Sequence, residues 1–312
     1  MKVWKYLPPL AVMFAAVLWS FDGFLRQSLP DKPFASFSTL LSFSLMVILL
    51  EHAMGGILFL PVLLRWRKTL ENLGERTWIS VGWVAVFGGI LGTASYTAAL
   101  FHIHYIELSV VVLLQKFQPL FAITLAAIIL KERLSRQYLF VAGTAIVGGY
   151  LVTFGMNPMT DWDNPTLVAA LLALLAAFSW GSSTVLGKHA LNRLPFFALT
   201  GLRLWVTTGV AALVFFATPS RPHVLALAGH QWLLIIAIVF STGTLALFIY
   251  YYGLKNVPAT HATIYELFWP LSAVIIDWGV RGRILEPAQM VGGLLLLGAS
   301  VYLSRTNMKR GP

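Results

Sequence analysis

The 312-residue sequence has no cysteine, and only 11% of its residues are charged, 12 acidic against 22 basic. Without a thiol there is no disulfide framework, no thiolate nucleophile and no sulfur-ligated metal, and the redox compartment is not legible. A soluble chain carries charge on about 25% of its residues, and one this poor in charge would leave large apolar patches in water. An ordinary cytoplasmic enzyme, a disordered regulator and a secreted disulfide scaffold are therefore excluded. Also missing are a GxxxxGK[ST] phosphate loop, an HExxH metal helix and a GxSxG nucleophile elbow. Direct ATP drive would thus need another subunit. His102 and His104 in a short loop are weak evidence for a metal, so neither metal nor cofactor is expected.

What fills the chain is apolar: 58% of residues are hydrophobic, and 25 more are glycine. A bilayer-crossing helix needs about 20 mostly apolar residues. Ten runs qualify, at 9–29, 36–64, 77–100, 106–130, 138–155, 166–187, 196–218, 231–254, 260–280 and 287–304. The longest polar gaps, 65–76 and 219–230, leave no room for a separate soluble domain. The expected fold class is an all-α integral membrane protein with ten transmembrane helices. Lys2 and Lys5 before the first run resemble a signal peptide, but nine further runs follow, so that helix reads as retained. The second run contains Glu51, His52, Gly55 and Gly56 and is tilted, kinked or divided into two segments.

Basic residues in short loops set orientation. With ten spans, 15 of the 22 fall on the face of both termini: Lys2, Lys5, Arg65, Arg67, Lys68, Arg76, Lys131, Arg133, Arg136, Lys188, Arg193, Lys255, Arg305, Lys309 and Arg310. Only Lys32, Arg221, Arg281 and Arg283 fall on the other, which predicts a plasma-membrane protein, bacterial inner membrane in type, with cytoplasmic termini. Splitting the second run would spoil this bias. The net charge of +10 thus flanks a membrane, and nucleic acid is not an expected partner. Expected partners are a small-molecule substrate and membrane lipid, with the chain a monomer or homodimer.

The sequence also repeats itself. Gln115-Lys116-Phe117-Gln118-Pro119-Leu120-Phe121-Ala122 aligns with Glu266-Leu267-Phe268-Trp269-Pro270-Leu271-Ser272-Ala273 at an offset of 151, with four identities. Ala16–Trp19 pairs with Ala177–Trp180, and Tyr96–Leu100 with Tyr250–Leu254. Each half holds five spans, an odd number, so the second half begins on the opposite side and the halves are inverted. Such repeats are common in secondary transporters, which bind near the midplane between halves and alternate access by rocking.

Tyr96-Thr-Ala-Ala-Leu100, Ser109–Leu114, Gln118-Pro119-Leu120, Leu130-Lys-Glu-Arg-Leu134 and Gly143–Leu151 together resemble the fourth and fifth helices of an EamA-type member of the drug/metabolite transporter superfamily. The resemblance spans residues 10–304 as two copies. It implies two inverted five-helix repeats, at 9–155 and 166–304, and movement of a small metabolite; it does not name the substrate. Lys131 replaces the usual glycine of the Gly-Glu-Arg-Leu turn, and the second copy, Arg281-Gly-Arg-Ile-Leu285, lacks the glutamate. An early arginine of the family's second and seventh helices is matched by Arg203, whereas Glu51 and His52 occupy the place in the first half.

Ionisable groups within spans are costly and usually face a cavity or a partner. Lys116 and Glu266 lie nearest the midplane, beside the repeat-related Pro119 and Pro270, whose missing N–H groups permit helix kinks that expose carbonyls. Gln115 with Gln118, His261 with Tyr265, and Glu266 with Trp269 are helical neighbours. The expected substrate-binding set is Gln115, Lys116, Gln118, Arg203, His261, Tyr265, Glu266 and Trp269, with Trp19 and Trp180 as stacking walls or helix packing. Lys116 and Glu266 are alternatively a neutralising pair. Asp22 and Arg26 suit an intrahelical pair at i and i+4, and adjacency lets only one of Glu51 and His52 face the cleft readily. Glu107, Asp277 and Lys188 lie near helix ends, where snorkelling to water suffices. Tyr250, Tyr251 and Tyr252 read as an interfacial belt. Gly88-Gly89, Gly148-Gly149 and Gly292-Gly293 mark close helix approaches.

The expected function is a secondary active transporter, not an enzyme. It exports a small metabolite such as an amino acid or related amphipathic compound by alternating access, with Glu266, Glu51 and Asp22 the proton-coupling candidates. A carboxylate away from water holds its proton more readily, the physical basis for coupling. A tight Lys116 partner would argue against Glu266 as the carrier, so an uncoupled facilitator stays open. An integral membrane enzyme acting on lipids should cluster its ionisable groups near one interface, whereas these lie at mid-depth. A non-transporting receptor would tolerate neutral residues at positions 116 and 266.

Overall fold

Pro8 and Pro9 occupy the first turn of the first helix, Pro119 that of another and Pro287 that of the last, positions where a missing N–H forfeits no helical bond. The computed structural model describes residues 6–30, 37–101, 117–154, 156, 164–218, 227–281 and 286–309. These form α1 (Leu7–Ser20), α2 (Asp22–Gln27), α3 (Phe37–Arg65), α4 (Arg67–Glu71), α5 (Glu75–Trp83), a π-helical segment (Val84–Leu91) and α6 (Gly92–Phe101). They continue as α7 (Gln118–Ile129), α8 (Arg136–Phe154), α9 (Asn164–Leu191), α10 (Phe196–Ala217), α11 (Gly229–Phe240), α12 (Thr244–Asn256), α13 (Ala259–Tyr265), α14 (Phe268–Arg281) and α15 (Pro287–Lys309). No strand occurs among the described residues.

Among the described residues, five stretches are long and apolar enough to cross a bilayer: Ser38–Arg65, Glu75–Ala99, Leu171–Leu191, Phe196–Ala217 and Gly229–Asn256. Leu7–Ser20, Gln118–Ile129 and Pro287–Leu303 are shorter apolar helices. The long second run is one uninterrupted helix, α3, despite Pro61 inside it. Three runs expected to be continuous are divided: the first at Phe21, the eighth at Ser241–Gly243 and the ninth at Glu266–Leu267. Of the fourth run, 106–130, residues 117–130, which carry α7, lie within the described residues.

The packing is inside-out relative to a soluble protein. Phe140, Leu213 and Leu294 stand 70–77% exposed on the outer faces, whereas Ala15, Ala16, Ala176 and Ala177 are wholly buried. Small residues let helix backbones approach where water gives no drive to association. Gly148 shows this between α8 and α15: a Cβ there would lie 2.8 Å from the Gly292 carbonyl oxygen.

The two halves interlock. The five most extensive helix contacts, α3 with α10, α8 with α15, α1 with α12, and α9 with both α6 and α7, all join a residue before 155 to one after 163. Four of these keep their form when the halves are exchanged: the second run of one half on the second of the other, fifth on fifth, and the first run of each half on the third of the other. That is the self-complementary pattern of a two-fold interface.

Candidate functional site

The prolines expected to kink helices instead stand in the first turns of new ones. Pro119 is the second residue of α7 and Pro270 the third of α14. A proline ring clashes with the carbonyl four residues back, so the ninth run stops and restarts, and the break falls upstream at Glu266-Leu267. Trp269 N–H still reaches the Glu266 carbonyl at 3.0 Å, bridging it.

The half-buried Glu266 side chain at this break gathers three neutral donors from three helices. Gln118 Nε2 donates to Oε2 at 2.6 Å, the Tyr250 hydroxyl to Oε1 at 2.6 Å and Thr184 Oγ1 to Oε1 at 3.1 Å. Thr184 and Tyr250 are themselves 2.9 Å apart. Among the described residues Glu266 has no ion pair. Gln115, Lys116 and Glu107 lie outside the described residues, as does the Asp277 side chain.

The helices of this cluster meet closely because Gly181 of α9 faces the start of α7, where a Cβ would lie 2.8 Å from the Gln118 carbonyl oxygen. Aromatic rings flank it. Trp19 packs on Tyr250 at 5.1 Å between centroids and 52°, and its repeat partner Trp180 packs on Tyr96, the repeat partner of Tyr250, at 5.5 Å and 55°. Trp269 Nε1 donates to the Trp19 carbonyl at 3.1 Å, tying α14 to α1. His261 stacks on Tyr138 at 5.6 Å and 14° and meets the edge of Tyr265. Tyr265 is wholly buried within the main apolar core.

The tyrosine belt expected at 250–252 is not one. Tyr250 and Tyr251 are 4% and 0% exposed, because each hydroxyl finds a polar partner inside the bundle, which a tyrosine needs when it leaves water. Tyr251 accepts from Arg203 Nη1 at 3.0 Å, and the guanidinium lies 5.8 Å from its ring centre. Arg203 Nε is buried without a hydrogen-bond partner among the described residues. Its tip and Ser183 close on Gly88, where a Cβ would lie 3.1 Å and 2.8 Å from them.

Asp22 and Arg26 do pair, at 2.5 Å, and the pair extends further than a single helix. Arg26 Nη2 reaches Glu51 Oε2 at 2.6 Å, and Thr242 Oγ1 donates to Asp22 Oδ1 at 2.6 Å. Glu51 and His52 are both 7% exposed. Both therefore turn inward, against the expectation that only one would. Their 100° separation is spanned because His52 Nδ1 lies 2.9 Å from the Ile48 carbonyl and 3.3 Å from Glu51 Oε1. Lys188 does not snorkel to water; its Nζ donates to the carbonyls of Leu254 and Lys255 at 3.0 and 2.7 Å, satisfying the end of α12.

These two centres are repeat-related. The offset of 154 that pairs Tyr96 with Tyr250 also pairs Gly88 with Thr242, and the offset of 161 that pairs Trp19 with Trp180 pairs Asp22 with Ser183. Each half thus sets a first-helix polar residue against an irregular point in the other half's third helix: the π segment in one case, the Ser241–Gly243 break in the other. Sequence reading missed Thr184 and misassigned Tyr250 and Tyr251. Tyr250 carried a signal, since it heads a repeat-matched block.

No group of three histidine, aspartate or glutamate side chains suited to a metal occurs among the described residues. An open apolar crevice of about 550 Å³ between α8 and α15, lined by Phe140, Val141, Thr144, Gly298 and Tyr302, shares no residue with the Glu266 cluster.

The EamA-like transporter family model matches the chain twice, at residues 7–154 and 167–305. The chain is 37% identical over 299 residues to "Riboflavin transporter ImpX" of Fusobacterium nucleatum subsp. nucleatum, covering 96% of this chain and 97% of that protein. It is 22% identical to "Protein LicB" of Haemophilus influenzae, covering 91% and 92%. A solved crystal structure matches with a TM-score of 0.74 at 18% identity over 98% of this chain and 99% of that one, which shows likeness of fold. A multi-pass helical membrane chain, matched in both halves and nearly end to end, belongs to the EamA-like transporter family.

Proposed function

We propose that this protein is a secondary transporter for a riboflavin-class solute, a planar heteroaromatic ring bearing a polyhydroxylated chain. It works by alternating access between two inverted five-helix repeats that cross a bacterial inner membrane ten times, with cytoplasmic termini. The observation that carries the substrate class is the 37% identity to a riboflavin transporter over 96% of the chain. The site's chemistry supports it. Trp19 and Trp180 offer flat apolar faces to a heteroaromatic ring, and offset stacking adds to area burial. Gln118, Thr184 and Glu266 offer exchangeable hydrogen bonds to hydroxyls, and Arg203 offers donors to ring carbonyls, as does Lys116. Gln115, His261, Tyr265 and Trp269 complete the proposed lining.

Glu266 is the proposed proton carrier, supported by the three neutral donors it meets among the described residues; Asp22 and Glu51 already share Arg26. An amino acid, the substrate class expected from sequence, lacks in most cases the flat ring that an indole face would stack on. The family match favours carriage over lipid chemistry.

The test is flux of labelled riboflavin and of an amino-acid panel in proteoliposomes, in both directions, with and without an inward-acid gradient, for wild type, Glu266→Gln and Lys116→Met. The expected result is saturable riboflavin flux that responds to the gradient and loses that response in Glu266→Gln. Flux indifferent to the gradient removes the proton role, undiminished flux in both variants removes the site, and amino-acid flux alone removes the substrate class.

A further inference from the structure

The turn that resembles the family's Gly-Glu-Arg-Leu segment holds a residue so far without a role. Glu132 lies between α7 and α8, in the first half, yet its carboxylate accepts three hydrogen bonds from the second half. Ala259 N–H donates at 2.8 Å, Thr260 N–H at 3.1 Å and Thr260 Oγ1 at 2.7 Å. Ala259 and Thr260 begin α13, the seven-residue helix whose C-terminal cap is Glu266. Tyr138, in the first turn of α8, reinforces the grip: its hydroxyl donates to the Thr260 carbonyl at 2.9 Å, and its ring stacks on His261.

The turn is shaped for this. Lys131 adopts φ 55°, a left-handed conformation, and Glu132 N–H returns to the Ala126 carbonyl at 3.2 Å, closing the end of α7. α13 is about 10 Å long at 1.5 Å per residue, a stiff rod with Glu132 at one end and the Glu266 carboxylate at the other. The grip lies at the end of the bundle where Lys188 meets Leu254 and where Gly253 faces the start of α1 at Pro8 and Val12.

We infer that Glu132 latches the two halves together at the N-terminal end of the bundle and positions Glu266 through α13. While the latch holds, α13 stays against α7, Gln118 reaches Glu266, and the path from that end is shut. Release of α13 opens the path and slackens the Gln118–Glu266 bond in one movement. The functional meaning of the latch rests on the alternating-access reading above, but its accessibility readout does not.

Because the natural sequence has no cysteine, Thr184→Cys supplies a single thiol beside Glu266, and Ser182→Cys a second probe should the first fail to fold. Labelling by a membrane-impermeant maleimide is followed in inside-out and right-side-out vesicles, with and without Glu132→Gln. A hydrogen bond to a charged group is worth about tenfold in an equilibrium or more. Glu132→Gln is therefore expected to speed labelling about tenfold from the N-terminal face alone, and Tyr138→Phe, the second variant, about threefold. Arg133→Gln, next to the latch, is expected to change nothing. In flux assays Glu132→Gln is expected to lower apparent KM for solute offered at the N-terminal face and raise it at the other, a split that general loss of structure would not produce.

Unchanged labelling in monodisperse Glu132→Gln and Tyr138→Phe protein overturns the latch, as does equal acceleration from both faces. If wild type moves no solute but labelling still responds, the proposed function falls and the latch stands. If solute moves normally and labelling does not respond, the reverse holds.

Discussion

Gly181→Ala should injure both the fold and the site, by an amount the geometry bounds. The added Cβ would lie 2.8 Å from the Gln118 carbonyl oxygen and 3.3 Å from both Ala122 N and Phe121 Cβ. Contacts of this kind settle near 3.5 Å, so α7 must retreat by roughly 0.7 Å. The obstacle is helix backbone, which cannot rotate away as a side chain would. Overpacking of this kind costs about 1–3 kcal/mol, and the intrinsic preference of helix for alanine over glycine returns about 1 kcal/mol, leaving a net loss of about 1 kcal/mol. The same retreat stretches the 2.6 Å bond from Gln118 to Glu266 beyond 3 Å. Losing most of a charge-assisted bond costs about 1.5 kcal/mol, near tenfold in subsaturating flux.

Gly209→Ala is the control. A Cβ there meets nothing within 4 Å, so the helix preference acts alone and stability should rise by about 0.5–1 kcal/mol. Thermal unfolding followed by tryptophan fluorescence in detergent, with labelled-solute flux in liposomes, measures both effects. Gly181→Ala protein as stable as Gly209→Ala, or with wild-type flux, would refute the reasoning.

Three other substitutions have defined expectations. Lys131→Gly removes a left-handed cost of about 1–2 kcal/mol while adding about 0.5–1 of unfolded-chain entropy, so thermal unfolding should shift upward by the equivalent of about 0.5–1 kcal/mol; a downward shift would show Lys131 making contacts that outweigh its φ. Tyr250→Phe strips Glu266 Oε1 of its shorter donor and should lower flux about tenfold, whereas Tyr252→Phe, on the same helix and half-buried beside Phe196, should stay within about twofold; equal effects would contradict the distinction between them. Arg26→Met strands Asp22 and Glu51 and should cost about 2–3 kcal/mol, less than a fully buried pair because Arg26 and Asp22 keep about a quarter of their exposure. Adding Glu51→Gln should recover part of that loss, and strict additivity of the two changes in unfolding measurements would mean they do not interact.

The all-helical, membrane-embedded class was legible because apolar runs long enough for a bilayer have few other uses, and the internal repeat singled out Trp19, Trp180, Pro119 and Pro270. The breaks were harder to see. Ser241-Thr242-Gly243 sits inside a strongly apolar run, and the partner of Thr242, Asp22, lies 220 residues away. The Glu266 cluster was half legible: its carboxylate and Gln118 stand out by polarity, whereas Thr184 and Tyr250 are types that pack unnoticed in membrane helices. Glu132 was noticed through its turn, but its partners lie 127 and 128 positions downstream, and local spacing carries no trace of them. Interfacial tyrosines are common enough to make a belt the ordinary reading of three in a row; the unusual burial came from Arg203, 48 positions away.

The interlocking of the halves bears on how such a chain is made. Trp19 finds Tyr250, and Trp180 finds Tyr96, only across the junction; α3 is covered by α10 and α8 by α15. When residues up to Phe154 have left a ribosome they therefore hold a set of surfaces whose mates have yet to be synthesised. They must wait in the bilayer as loosely gathered helices, exposed to quality-control proteases. A gene cut between Phe154 and Asn164 should yield two fragments that are each degraded when expressed alone and that rescue one another when co-expressed. The sequence repeat records a duplication, but the unit of assembly is the pair.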